Sequence, residues 1–549
     1  MDVDTNRNGT VEAVDETGES AWSTTLGAVM YFNTDDDDNN GSEDYIDSAV
    51  NGIADAADLA RAFVRTYPVP SGGTVEVLVG SAAQGRIRIF RNSGGAWTSV
   101  YSTGASFTLP ASEVTAGDVE LGIEANTRIS PTWDGYATLT LEIRQSDGTL
   151  EGSDAVLLRC APEILATNLW IPEQMHVVNV GSNNSAFRMT LSSVCSAAGV
   201  TYVEIPGGSY SNDRWVQDSS EPGIVYLPST SGRRRVDSVL QLARWRPVDA
   251  WCVNALFNPD FDLVRRFSSN SSSMNYGGNL EVFPPHTAPM GANYPWGRIV
   301  TGGGTSAPIG GGTPVTRRMV QAYRDYFNAL GIQGPHLEVS TEWLAVGHVD
   351  EHTSIVPAPA NPRGWAVLLA SPQLARDVLQ SVADAGGGSL TVFTGRSGWQ
   401  TTVNGILTNT ALMTYNDEVQ LRMDAIRSYY MTQLGLADSE IIDLPVLFED
   451  AGSGAAAYNP GVVNMVVIPT AGGTTHLVVP DPEGPDAGMP ATDAWRTEIN
   501  TRLQALYTAA SPVVITYADV FFSYHTLLGE AHCGTNTVRT PPAQDWWDD

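Results

Sequence analysis

Trp365-Ala366-Val367-Leu368-Leu369-Ala370-Ser371-Pro372-Gln373-Leu374 changes its pattern in the middle. The six leading apolar residues read as a strand covered on both faces. Ser371 and Pro372 then supply an N-cap and a first helical position, predicting a helix that stops at the glycines of 386–388. A buried strand feeding directly into a helix is the mark of an α/β architecture. The same alternation continues on both sides. Thr313-Pro314 predicts the start of a helix with Val320, Tyr323, Phe327 and Leu330 on one face. Further helices are expected over about 417–434 and 492–507, with strands at 462–468 and 513–517. Toward the N-terminus the pattern differs. Stretches 74–79, 86–90, 119–124, 136–144 and 155–160 alternate like strands between Gly, Ser and Asp turns, with hardly any helix signal, which predicts a β-sandwich. Pro162 marks the expected boundary, giving domains over 1–160 and 161–549.

The 549 residues carry 30 basic and 61 acidic side chains, a net charge of −31, and every basic residue is arginine. Such a chain lacks the basic face of a nucleic-acid binder. Base composition or salt adaptation accounts for the missing lysine. No apolar run reaches the ~20 residues of a membrane span and no signal peptide opens the chain, so a soluble protein is expected, cytoplasmic or exported after removal of an upstream segment. Four scattered cysteines (Cys160, Cys195, Cys252, Cys533) form neither a disulfide framework nor a zinc motif.

The N-terminal 58 residues are acidic. Asp4, Asn6, Asn8, Gly9 and Asp15 fall at the spacing of a calcium loop. The carboxylates of Asp35-Asp36-Asp37-Asp38, Glu43, Asp44, Asp55 and Asp58 would repel one another unless a cation neutralises them; the alternative is a solvated acidic loop.

Three segments combine carboxylate, aromatic and nucleophile types: Asn212-Asp-Arg-Trp-Val-Gln-Asp218, Gly347-His-Val-Asp-Glu-His352, and Gly529-Glu-Ala-His-Cys-Gly-Thr-Asn536. His348 and Asp350, two apart, would share a face on an extended strand. The glutamate position of a HExxH zinc helix holds Val349, which argues against that metal. Each segment alone fits a buried core turn equally well, and an isolated cysteine is usually a small hydrophobe.

Taken together with Tyr276-Gly-Gly-Asn-Leu-Glu-Val-Phe-Pro-Pro285, Val356-Pro-Ala-Pro359, Glu440-Ile-Ile-Asp-Leu-Pro445, Val463-Asn-Met465 and Trp546-Trp547, these segments resemble the protein-arginine deiminase (peptidylarginine deiminase) family, densely from about residue 160 onward. The resemblance implies a pentein-type five-bladed α/β propeller preceded by an immunoglobulin-like β-sandwich. It implies Cys533 as nucleophile, His348 as general acid/base, Asp218 and Asp350 as the carboxylates holding a guanidinium, and Trp215, Arg244 and Arg246 as substrate contacts. It also implies a Ca²⁺ site near the active centre from Gln217, Glu221, Gly277, Leu280 and Glu281. Further calcium ligands would be Asn33, Asp35, Asp37, Asp55 and Asp58, joined by Asp260, with Asp4 added from its own loop. A second calcium site expected near the centre looks lost, its positions being Ser219, Gln241, Leu242 and Trp245. The implied activity is calcium-dependent hydrolysis of peptidyl-arginine to peptidyl-citrulline, through a thiouronium on the cysteine. The alternatives are a same-fold enzyme acting on free arginine or agmatine, and a calcium-binding protein without catalysis. Oligomeric state and protein targets stay open.

Overall fold

The computed structural model describes residues 1–486 and 493–548. Residues 1–160 build two five-stranded sheets. One runs in the order Asp2–Val3, Ala60–Val64, Val119–Ala125, Ile87–Ser93, Ala96–Tyr101; the other Ala28–Met30, Leu150–Cys160, Tyr136–Arg144, Thr74–Val79, Ser106–Leu109. Alternation sets their inner faces: Val75, Val77 and Val79 point inward with Leu139 and Leu141, meeting Ile87, Ile89, Leu121 and Ile123 of the other sheet in one core. The five strands expected here are present within a few residues. The other five, Asp2–Val3, Ala28–Met30, Ala60–Val64, Ala96–Tyr101 and Ser106–Leu109, were not among the strands expected.

Beyond residue 160 the chain is mixed α/β. Among the described residues, five sheets of three or four strands follow one another, with three further two-stranded pairs. In several of them an antiparallel hairpin is joined by a parallel strand from later in the chain. Thr353–Ala358 pairs antiparallel with Gly364–Ser371, which pairs parallel with Ile441–Pro445. The chain closes on itself, because Thr535–Thr540 near the C-terminus pairs antiparallel with Ile171–Asn179 near the start of this region. That pairing brings the loop before Thr535, which holds Cys533, into the middle of the sheets.

The opening stretch behaves as its sequence dictates. Gly364–Ser371 is buried along almost its whole length, and the Ser371 side chain accepts from Leu374 N to cap the helix Pro372–Val382. Two expectations need correction. The helix predicted from Thr313 begins only at Gln321; Val315–Arg318 is instead a strand against Arg298–Ser306, as β-branched Val315 and Thr316 favour. Tyr323, Phe327 and Leu330 do share its buried face. His348 and Asp350 do not lie on a strand: Val349–Glu351 is a single 3₁₀ turn, held because the Glu351 carboxylate accepts from the backbone N–H groups of Gly347 and His348 at 2.8 and 2.7 Å. The long helix is Thr410–Leu434, capped by Asn409, and the last is Ala494–Gln504, capped by Asp493; residue 492, expected at its start, lies outside the described residues. Among the described residues no helix is long and apolar enough to cross a membrane.

Candidate active site

Three segments far apart in sequence meet at Cys533. The 3₁₀ turn Gln217–Ser219 supplies Asp218, the turn Val349–Glu351 supplies Asp350, with His348 preceding it, and the loop before Thr535–Thr540 supplies the thiol. All four side chains are buried. The Cys533 thiol donates to Asp350 Oδ2 at 3.5 Å, and His348 Nδ1 stands 3.8 Å from Asp218 Oδ1 and 3.9 Å from Asp350 Oδ1. His348 Nε2 is fixed on the carbonyl of Ser273 at 2.9 Å. Asp218 Oδ1 and Asp350 Oδ1 are buried without a hydrogen-bond partner. Leaving such acceptors bare costs about 1–3 kcal/mol each, so the pair is built for a donor that arrives from outside. Glycine makes the space. A Cβ on Gly278 would sit 2.5 Å from His348 Nδ1 and 2.9 Å from Asp350 Oδ2, and one on Gly529 would meet the Trp215 ring at 2.3 Å. Trp215 thereby lies against the Cys533 loop, edge-on to Tyr524 with ring centroids 5.6 Å apart.

The electrostatics follow from burial. Burial raises the Asp218 carboxyl above its ordinary range, against the pull of His348 and Arg244. Burial also lifts the Cys533 thiol well above 9, and Asp350 and Asp218 push it further up. Without a cation beside it Cys533 is therefore a thiol. Its alkylation by iodoacetamide, a neutral reagent, should accelerate only above pH 9; a rate already at plateau by pH 7 would contradict this.

Two residues with no role assigned from sequence complete the site. Asn464 Nδ2 donates to Cys533 Sγ at 3.2 Å and to the Asp350 carbonyl at 3.1 Å, while its Oδ1 accepts from His532 N and Cys533 N at 2.9 and 3.2 Å. His532 Nδ1 bonds Asp350 Oδ2 at 3.0 Å and its Nε2 faces Glu281 at 3.9 Å. Burial disfavours its charge, but the Asp350 bond and Glu281 outweigh that and raise its pKa. A buried Asn gives no periodic or spacing signal, so neither contact could be foreseen. Asn464→Leu should lower turnover by about 10–10²-fold and move the alkylation profile of Cys533 to still higher pH. A purely structural role for Asn464 would leave that profile in place.

The two expected substrate arginines are placed differently. Arg244 is 1 % exposed and turned inward, its guanidinium bidentate on Asp213 at 2.6 and 2.7 Å, 3.3 Å from Asp249 and 3.7 Å from Asp218. Arg246 is exposed.

The expected calcium ligands fall into three groups. Gln217 Nε2 donates to Glu221 at 3.0 Å, and the Gln217 carbonyl packs so closely on Gly277 that a Cβ there would clash at 2.1 Å. Glu221 and Glu281 are buried and raised by burial, Glu281 to about 7, and Glu281 adds repulsion for Glu221; Leu280 is buried beside them. In the second group Asp35, Asp37 and Asp44 bring carboxylate oxygens within 4.8 Å of one another. Both oxygens of Asp35, and one each of Asn33, Asp37, Asp44 and Asp58, are buried without hydrogen bonds. That donor set suits a hard cation. Asp55 differs, since both its oxygens accept, from Asn33 Nδ2 and Asn51 N. Arg234 stands at the cluster's edge, paired with Asp58, 2.6 Å from Asp260 and 3.9 Å from Asp35. The third group is the N-terminal loop. Asp15 is consumed by bonds from Thr5, Asn6 and Glu12, and Asp4 accepts from the N–H groups of Asn8 and Gly9. This loop closes through its own hydrogen bonds, and among the described residues Asp4 belongs to no metal-sized acidic group.

A buried thiol thus stands with a histidine and two carboxylates whose inner oxygens are free. Residues 151–548 match the family described as Protein-arginine deiminase (PAD), and the chain belongs to that family. It is 34% identical over 402 residues to protein-arginine deiminase type-3 of Homo sapiens, covering 72% of this chain and 57% of that one. It is 30% identical over 544 residues to the type-4 protein of Mus musculus (95% of this chain, 78% of the relative) and 30% identical over 571 residues to the mouse type-1 protein (100% and 82%). The chain thus spans little more than half the length of the type-3 relative.

Proposed function

We propose that this chain hydrolyses arginine side chains within peptides to citrulline and ammonia, with Ca²⁺ bound. The observation that carries this reading is the convergence of Cys533, Asp350, Asp218 and His348 around two unpaired carboxylate oxygens. A guanidinium carries paired N–H donors in a fixed fork, which suits two carboxylates and aims its carbon at the sulfur. The arriving cation also changes the thiol. It offsets the two carboxylates that hold Cys533 protonated, so substrate binding itself favours the thiolate. Sulfur attacks the guanidinium carbon, the thiol proton passes by way of His348 to a terminal nitrogen, and ammonia departs, leaving a thiouronium cation on Cys533. Water then adds to that carbon, the C–S bond breaks, and peptidyl-citrulline, the thiol and one proton are released; with the ammonia, this gives one ammonium per arginine. Trp215 would cover the aliphatic stem of the substrate. Exposed Arg246 suits contact with the peptide backbone, while buried Arg244 supports Asp218.

Calcium would be held by Asn33, Asp35, Asp37, Asp44 and Asp58, and near the centre by Gln217, Glu221, Glu281 and the carbonyls of Gly277 and Leu280, where it would neutralise buried acids. The five successive sheets and their closure support a five-bladed propeller over 161–549, and the two packed sheets an immunoglobulin-like domain over 1–160.

The test is citrulline and ammonia release from an arginine peptide, free arginine and agmatine, each with calcium and with chelator. Turnover confined to the peptide and lost in chelator is expected. Chelator-insensitive turnover of free arginine or agmatine would replace this reading by that of a small-guanidine hydrolase.

A further inference from the structure

In the covalent scheme above, the first product must leave and water must enter while the peptide is still tethered to Cys533 and fills the substrate cleft. The structure contains a separate space that meets this need. A cavity of about 30 Å³ touches Cys533 but not Asp218, His348 or Asp350, and is lined by Glu351, Asn464, His525, Leu528 and Glu530 among others. It has room for one or two water-sized molecules. Leu528 is 46 % exposed, so one end lies near solvent.

Glu530 gives the cavity its chemistry. It is 5 % exposed. Its Oε1 is saturated, accepting from Gly461 N at 2.9 Å and bonded to His525 Nδ1 at 2.7 Å. Its Oε2 is buried with no hydrogen-bond partner. The carboxylate is thus fixed by one oxygen and bare at the other, and Glu530 and Cys533 both line the cavity. A bare carboxylate oxygen accepts and cannot donate, so its ligand must carry N–H or O–H. Water and ammonium are both small enough and both donate; ammonium adds the charge that a buried carboxylate favours.

We propose that this cavity is the small-molecule port of the reaction: ammonia expelled from the guanidinium passes into it and is held as ammonium against Glu530 Oε2, and the water that cleaves the thiouronium enters through it. The inference rests on the deimination reading for its chemistry. Ammonia enters the cavity neutral, and the proton that makes it ammonium is the one released when water cleaves the thiouronium to citrulline and thiol, so atoms and charge close over the two steps. The site takes monovalent, hydrogen-bond-donating cations the size of water.

Thallium(I), a monovalent ion close to ammonium in size, tests the site without turnover. Crystals of the calcium-loaded protein soaked in a thallium salt should show an anomalous peak beside Glu530 Oε2, absent in Glu530→Gln, in which the bond from Gly461 N can persist. In solution, ammonium chloride should inhibit citrulline formation more than tetramethylammonium chloride of equal ionic strength, which is too large to enter. Glu530→Gln should raise the inhibiting ammonium concentration at least about tenfold. No thallium in the cavity, together with equal inhibition by the two salts in an active parent, would overturn the port while leaving deimination standing. Absence of citrulline from any arginine peptide would instead remove the deimination reading, and the thallium peak alone would then decide whether a cation site exists.

Discussion

Cys533→Ser will reduce citrulline formation from an arginine peptide by about 10⁴-fold or more, while its thermal unfolding stays within about 1 kcal/mol of the parent. Both halves follow from the same surroundings. Cys533 is buried, receives one hydrogen bond from Asn464 and gives one to Asp350, and a serine hydroxyl can make both with little change in volume. Its chemistry is another matter. Burial and two carboxylates already hold the softer, more acidic thiol in its protonated form, and a serine hydroxyl in the same place would be far harder to ionise and a weaker nucleophile toward a resonance-stabilised cation. Citrulline and ammonia assays at saturating peptide, with calorimetry on both proteins, check the two halves separately. Activity within tenfold of the parent would remove Cys533 from the centre of the reaction. Equal loss of activity and of stability would mean that the variant reports folding.

Removing calcium should have the second largest effect, acting on stability as well as on rate. Asp35 is fully buried with neither oxygen hydrogen-bonded, and burial, Asp262 and Asp37 raise its pKa well above the ordinary carboxyl range. An ion filling this cluster at a hundred times its dissociation constant would add about 2.7 kcal/mol per site. Chelator should therefore lower the thermal midpoint by several degrees and turnover by about 10²-fold or more. Asp35→Asn gives the sign a sharper test. Without an ion it removes a buried carboxyl that makes no hydrogen bond, so in chelator the variant should match or exceed the parent in stability. With calcium it loses a ligand and should fall below the parent. A parent whose midpoint does not move with calcium, or a variant less stable than the parent in chelator by as much as in calcium, would show that the cluster holds no ion.

Legibility from sequence divided along physical lines. Strands with clean alternation, such as Thr74–Val79 and Tyr136–Arg144, and the capped strand-to-helix stretch at Ser371 stood where periodicity and capping put them. Val315–Arg318 defeated the reading because a Thr-Pro pair resembles a helix start locally, whereas pairing with Arg298–Ser306 decides its state. Motif-borne residues of the site, Cys533, His348, Asp350 and Asp218, could be picked out because the segments that carry them, taken together, resemble the motifs of one family. Asn464, His532 and Glu530 act through contacts spanning 69, 182 and 69 residues of chain, and no local pattern announces such partners. Arg244 shows the converse. Its neighbour Arg246 is exposed, yet Asp213 turns Arg244 inward.

The two bare oxygens of Asp218 and Asp350 also bear on how a modified chain gets away. Conversion of guanidinium to ureido keeps size and shape almost unchanged but deletes the positive charge and puts a carbonyl oxygen where a donor had been. Toward buried carboxylates that exchange turns attraction into repulsion. On the proposed reaction, catalysis in this cleft would undo the recognition that began it, so a citrulline-containing peptide should be a poor competitor for the next arginine.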